Sequence, residues 1–260
     1  MMERKELADN LIKQASRRIK EVYLRGGIDA VQKEGGRSIV TELDKEIEGF
    51  IIKGIRDNFP QDGIIAEEGG SKNGQNDFKW FIDPIDGTRN FVFGIPFFSI
   101  SIALTQGQEL KFGLISDPVQ GIIFEAERGK GAYKNNVPIK TSSILKLGDA
   151  ISLLGFTASG VDLGHDKKTA KLLERLVRVR ILGSAALNFC LVAEGHVASA
   201  IGFGFHSWDI AAGIIIVEEA GGRITNDRGE SVDLFNGDLV SVVASNGTVH
   251  DKLLSIISEL

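Results

Sequence analysis

The chain has one cysteine, Cys190, among 260 residues, so no disulfide can form within it. A fold without that constraint suits a reducing compartment, and a cytoplasmic protein is expected. No run approaches the ~20 apolar residues that a membrane-spanning helix needs. Residues 1–20 are charged and amphipathic, so no leader-type apolar stretch is expected there. Positive charge is not in excess. Thirty Lys and Arg against 35 Asp and Glu leave a net charge of −5, which does not favour nucleic acid or acidic membranes as partners. The basic positions between Lys171 and Arg180 alternate with Leu and Val and read as a solvated face. Internal repeats, low-complexity tracts and a clear linker are missing too. What remains is an ordinary globular composition, 43% hydrophobic and 25% charged, long enough for one large domain or two small ones sharing an interface.

Periodicity places the elements. Leu7, Ala8, Leu11, Ile12, Ala15, Ile19, Val22 and Tyr23 form a helical stripe over Glu3–Arg25, closed by Gly26-Gly27. Ile28 to Ser38 is charged and glycine-containing and is expected to be a mobile loop, with Lys33 within it. A second helix is predicted over 41–58, stopped by Phe59-Pro60, and a short strand over 63–66 that delivers Glu67 and Glu68. Residues 97–134 alternate between glycine breaks as an antiparallel sheet does. Beyond about Ala150 the pattern is mixed: strand 151–156, helix 165–176, strand 178–182, helix 184–193, strand 197–201, helix 208–220, strand 239–244 and helix 248–259. Layers of helix and sheet in an α/β fold follow from that order.

The run Trp80-Phe81-Ile82-Asp83-Pro84-Ile85-Asp86-Gly87-Thr88-Arg89-Asn90-Phe91 carries the chemistry. Asp-Pro and Asp-Gly are ordinary turn formers. Here, however, both acids sit between buried-strand and apolar residues, and a buried carboxylate costs several kcal/mol unless paired or metal-bound. Carboxylates with Gly87 and Thr88 N–H groups suit a metal-assisted phosphate site. The other acids have plain readings of their own. Glu67 and Glu68 could be a solvated strand edge. Asp209 could cap a helix, and Thr41-Glu42-Leu43-Asp44 fits a capping box. Cys190 lies in an apolar helix pattern and reads as core, and His206 reads as packing or surface.

Taken together, Ala66-Glu67-Glu68, Asp83-Pro84-Ile85-Asp86-Gly87-Thr88 and Trp208-Asp209-Ile210-Ala211-Ala212-Gly213 make the chain resemble the inositol monophosphatase family of Mg²⁺-dependent, lithium-sensitive sugar phosphatases. Lys33, Ile39 to Asp44 and Gly183 to Asn188 support the match, which runs from about residue 5 to 258. The resemblance implies an αβαβα five-layer sandwich of the inositol monophosphatase/fructose-1,6-bisphosphatase type. It would be a single unit, with residues 1–145 supplying most metal ligands and 146–260 supplying Asp209. It implies two to three Mg²⁺ ions, held by Glu67, Asp83, the Ile85 carbonyl, Asp86 and Asp209. Catalytic roles fall to Glu67, Thr88 and Asp44, and substrate contacts to Gly87, Thr88, Gly183, Ser184, Ala185 and Asp209. The implied reaction is hydrolysis of inositol monophosphate by metal-activated water. Without the ions the carboxylates would repel, so the empty site should be loose. A small phosphate ester is the expected partner and a homodimer the expected assembly. Fructose 1,6-bisphosphate and 3′-phosphorylated nucleotides are alternative substrates, and a non-catalytic role at transcription or ribosome-assembly machinery is a third reading. One departure bears on substrate. Gly202 stands where many inositol monophosphatases carry a ring-gripping Glu, which implies a more open pocket. Arg175, Arg178 and Arg180 are candidates for a second phosphate, against a plainer reading as exposed charge.

Overall fold

The computed structural model describes residues 1–26, 28–32, 39–69, 72–156, 165–237 and 239–260. Helices α1 (Met2–Arg25) and α2 (Glu42–Asn58) pack together through the expected stripe of Ala8, Leu11, Ile12, Ala15 and Ile19 and through Leu43, Ile47, Ile51 and Ile55. Thr41 caps α2 with the reciprocal box anticipated from sequence: Asp44 N–H donates to Thr41 Oγ1 at 3.3 Å, and Thr41 N–H donates to Asp44 Oδ2 at 2.8 Å. Between the helices, β1 (Val31–Gln32) pairs antiparallel with β2 (Ile39–Val40). Part of the segment expected as a loop is therefore hydrogen-bonded ribbon. Lys33, with the rest of the expected loop over 34–38, lies outside the described residues.

A seven-stranded sheet follows in simple order: β3 (Gly63–Ala66), β4 (Phe78–Asp86), β5 (Ser99–Gln106), β6 (Glu109–Asp117), β7 (Ile122–Glu127), β8 (Gly131–Lys134) and β9 (Val137–Pro138). Only β3 and β4 run parallel. A short helix α3 (Thr88–Val92) leaves the end of β4. The second sheet has the order β11 (Val179–Arg180), β10 (Ser152–Phe156), β12 (Ser199–Phe205), β14 (Val240–Ser245), β13 (Arg223–Asn226). Its helices are α4 (His165–Arg175), α5 (Ala185–Ala193), α6 (Ser207–Glu219) and α7 (His250–Ser258).

Three apolar cores bind these into five layers. The first joins α1 and α2 to the seven-stranded sheet through Trp80, Ile82, Ile102 and Phe112. The second fills the space between the sheets around α5 and α6. The third joins α4 and α7 to the outer face of the five-stranded sheet through Leu172, Phe203, Val243 and Leu253. A helix sandwiched between two sheets must be apolar all round, and α6 buries an unbroken run from Ile210 to Val217. Among the described residues no helix is long and apolar enough to cross a membrane. Two strands differ from the sequence reading. β13 follows Gly221-Gly222 too closely to stand out as a strand, and β12 continues to Phe205 rather than ending at 201, because its alternating glycines imitate a break.

His250 joins three of these elements. It is fully buried at the start of α7, with Nε2 3.0 Å from Thr225 Oγ1 on β13 and Nδ1 2.9 Å from Ser245 Oγ on β14. Burial, reinforced by Arg223, lowers its pKa to about 4. The unfolded chain therefore takes up this proton first, and the contribution of neutral His250 is intact above about pH 6.5 and lost as pH falls towards 4. His250→Gln should cost about 1–3 kcal/mol at pH 7. At pH 4.5 that cost should shrink by on the order of 2 kcal/mol, since only the wild type must then bury an imidazole against its protonation. Denaturant titration of both proteins at the two pH values checks this, and a pH-independent cost would mean that His250 titrates normally.

Candidate active site

The register of β4 creates the site. Asp83 pairs with Ser101 and Asp86 with Ser99, so three steps on β4 match two on β5. The extra residue is a β-bulge, and Pro84 falls inside it, where a strand tolerates proline. Residues three apart in a regular strand face opposite sides. The bulge reverses that parity: Ile82 and Ile85 both enter the core under α1 and α2, while Asp83 and Asp86 both turn to the opposite face and line one pocket.

Asp86 is held there by four donors. Ser99 Oγ donates at 3.1 Å, Ala185 N–H at 3.0 Å, Ala186 N–H at 2.8 Å, and the Ser184 hydroxyl also donates. Three of the four come from the N-terminus of α5, where the orphan N–H groups and the helix dipole favour an anion. Ser184 and Ala185, expected to face the substrate, thus also spend a donor each on this carboxylate. Burial raises the pKa of Asp86, and these hydrogen bonds oppose the rise. Asn90 on α3 ties the same junction from the other side, its Nδ2 donating to Phe97 O and Leu182 O, both at 2.7 Å. Gly183 then passes so close that a Cβ would lie 2.8 Å from Asn90 Nδ2, and its φ of +91° is one that L side chains rarely adopt.

Asp83 is 1% exposed, and its Oδ1 has no hydrogen-bond partner among the described residues. Burial, then the carboxylates of Glu67, Asp86, Asp209 and Asp44, push its carboxyl well above the ordinary range. Glu67 stands beside it because β3 is parallel to β4, with Ala66 in register with Ile82. Glu48, which the sequence reading passed over, fixes that corner: its Oε2 accepts Glu68 N–H at 2.7 Å. The signal was available, since Glu48 lies on the apolar stripe of α2 between Ile47 and Ile51 and is 2% exposed. Burial raises its pKa, opposed by the N–H groups of Glu68 and Gly69. Asp209 enters from the other half, in the first turn of α6, where its Oδ2 accepts His206 N–H at 2.8 Å. It occupies the third position of the helix rather than the cap. His206 itself stacks on Trp208 at 4.4 Å.

At the mouth of the bulge the Thr88 hydroxyl is 3.0 Å from Ile85 O and 3.4 Å from Asp44 Oδ1. Burial raises the Asp44 pKa to about 6, with the Thr41 hydrogen bonds opposing. The pocket enclosed by these groups is about 250 Å³, and Ile39, Arg89, Gly155, Ile181, Asn188 and Phe205 complete its lining. Gly202 does not leave the pocket open, contrary to expectation, because the Phe205 ring lies across it. Arg175 pairs with Glu259, while Arg178 and Arg180 donate to Gly148 O and Val179 O, and none of the three lines the pocket. Cys190 is buried in the central core, with its thiol pKa pushed up by burial.

The donor set is all oxygen, which suits a hard cation such as Mg²⁺, and the unpartnered Asp83 Oδ1 is the atom that such an ion would satisfy. Among the described residues no three His, Cys, Asp or Glu side chains are grouped closely enough to hold a metal ion between them.

Comparison with known proteins supplies the family and the fold. The model of the inositol monophosphatase family matches residues 2–260. A Thermotoga maritima protein named fructose-1,6-bisphosphatase/inositol-1-monophosphatase is 41% identical over 240 residues, 90% of this chain and 89% of that protein. Nus factor SuhB of Haemophilus influenzae is 38% identical over 221 residues, 84% of this chain and 82% of its own. The solved structure of a Thermotoga maritima IMPase superposes with a TM-score of 0.87 at 36% identity, covering 99% of this chain and 97% of that one. The chain belongs to the inositol monophosphatase family, a family of phosphatases that generally depend on magnesium.

Proposed function

We propose that the protein hydrolyses inositol monophosphate to inositol and phosphate, working as a single unit in which both halves complete one site. The buried Asp83 carboxylate, whose Oδ1 has no hydrogen-bond partner among the described residues and which Glu67, Asp86 and Asp209 crowd, carries this reading. Glu67, Asp83, Asp86, Asp209 and the Ile85 carbonyl would hold two to three Mg²⁺ ions, which when bound would acidify a water molecule and neutralise charge on the leaving oxygen. The chain's own groups do the rest. N–H groups of Gly87 and Thr88 bind phosphate oxygens at the start of α3. Asp44, whose Oδ1 is 3.4 Å from the Thr88 hydroxyl, holds that hydroxyl in place, and Thr88 and Glu67 orient and deprotonate the attacking water.

Hydrolysis of fructose 1,6-bisphosphate is the second reading. It is favoured by the dual name of the Thermotoga relative. The Nus factor name of other relatives suggests a non-catalytic role, to which the net charge of −5 lends no support. Phosphate release from a panel of inositol, fructose and nucleotide phosphates with Mg²⁺ separates the three, and no release from any of them would favour the last.

EDTA should abolish activity and Mg²⁺ restore it. Mg²⁺ at about a hundred times its Kd should also stabilise the fold by about 2.7 kcal/mol, read as a higher Tm. Asp83→Asn should lose both responses. Without metal it should melt no lower than wild type at pH 7, because it removes one of several crowded buried charges. Near-wild-type turnover by this variant would sink the assignment.

Thr88→Ala should lower kcat by roughly 10²–10⁴ with little change in KM, and Thr88→Ser should recover most of the loss. Steady-state kinetics decide the matter: a change confined to KM would reduce Thr88 to a phosphate contact.

A further inference from the structure

The wall of the pocket that faces the carboxylates is built by the C-terminal half, from Gly155 on β10, Asn188 on α5 and Phe205 on β12. β12 carries its own bulge here. Gly202 pairs with Val242 and Phe205 with Val240, three steps against two, and Gly204 has a φ of +74°. The extra residue turns Phe205 onto the inner face that Gly202 occupies, while Phe203 stays in the outer core. The ring therefore folds back over its own strand. A Cβ on Gly202 would meet Phe205 Cε2 at 1.7 Å, and one on Gly155, the register partner of Gly202, would meet Cζ at 3.0 Å. Two facing glycines thus form a trough, and the aromatic ring lies in it. Beside the trough stands Asn188, 4% exposed, with Nδ2 3.8 Å from the same Cβ position on Gly155. Its Oδ1 is buried with no hydrogen-bond partner among the described residues. An acceptor kept buried and unpartnered in a pocket wall is satisfied by a donor that the ligand brings.

We propose that Phe205 and Asn188 select the alcohol half of the substrate: the Phe205 ring is the platform for the C–H face of a ring-shaped alcohol, and Asn188 Oδ1 accepts a hydrogen bond from one of its hydroxyls. The proposal rests on the phosphatase reading above and adds to it two specificity-determining residues. Saturated rings present a flat C–H surface that an aromatic face matches, and the hydroxyls at their rim then reach groups beside the platform. Gly202 and Gly155 contribute by having no side chain, since either Cβ would displace the ring.

Three esters separate the parts: inositol 1-phosphate, with ring and hydroxyls; cyclohexyl phosphate, with the ring alone; and glycerol 2-phosphate, with hydroxyls and no ring. Relative to glycerol 2-phosphate, Phe205→Ala should lower kcat/KM about tenfold or more for both ring esters. Asn188→Leu should lower it by a similar factor for inositol 1-phosphate alone, leaving cyclohexyl phosphate unchanged. Equal loss on all three esters in either variant would overturn that residue's role. A stability cycle tests the geometry without activity. Gly202 lies outside the left-handed region, so the ring is the main obstacle to a Cβ there. Gly202→Ala should lower Tm in the wild type and do so much less in the Phe205→Ala background, whereas additive effects would show that the ring does not occupy the trough. Wild-type protein with Mg²⁺ that releases phosphate from none of the esters would overturn the phosphatase reading itself. Activity with unaltered selectivity in both variants would overturn only the present proposal.

Discussion

The carboxylate of Asp86 is where the two halves of the molecule meet. It rides on β4 of the first sheet and takes hydrogen bonds from Ser184, Ala185 and Ala186, at the start of a helix packed against the second. Desolvating this charge is costly, and charge-assisted bonds from a helix terminus are among the few interactions that offset it. Once that bond set is made, the rest follows. Gly87 and Gly183 approach within van der Waals contact, Asn90 closes the seam, and the first turn of α6 is carried past the end of the sheet with Asp209 on it. The site lies at this seam, so a change in how the two sheets sit would move Asp209 relative to the acids carried by β3 and β4.

Around this fixed acid stand others that are not at ease. Asp83 is crowded by four carboxylates, and Glu48 and Asp44 are pushed up by burial. Asp44, Glu48, Asp86 and Asp209 each accept hydrogen bonds that offset part of this cost, whereas Asp83 Oδ1 has no partner among the described residues. Such a crowd of carboxylates favours positive charge in its midst, and a cation bound there would relieve the repulsion.

Much of this was legible in the chain. The stripes of α1 and α2, the meander of β5 to β8 and the all-apolar α6 announce the layers, and the acids at 67, 83, 86 and 209 line one pocket. The rest was hidden for physical reasons. Alternation rules assume constant parity, and both bulges change it. Gly202 and Gly204 read as empty space, yet one extra residue swings Phe205 into that space. Glu48 reads as a solvated helix position unless its place on the buried face is counted against it. Ser184 reads as a substrate contact, and only the tertiary approach of β4 shows its hydroxyl engaged by Asp86.

Each sheet thus carries a bulged strand beside the same cavity, β4 in one and β12 in the other. The site is consequently encoded in numbers of residues as much as in their kinds. Excision of a single residue between Asp83 and Asp86 would leave every acid, the net charge and the hydropathy profile intact. Regular pairing with β5 would then return with both aspartates still on one face, but the bulge that brings the Thr88 hydroxyl to Ile85 O would be lost. At these two points a short insertion or deletion reshapes the pocket without changing any of its acids.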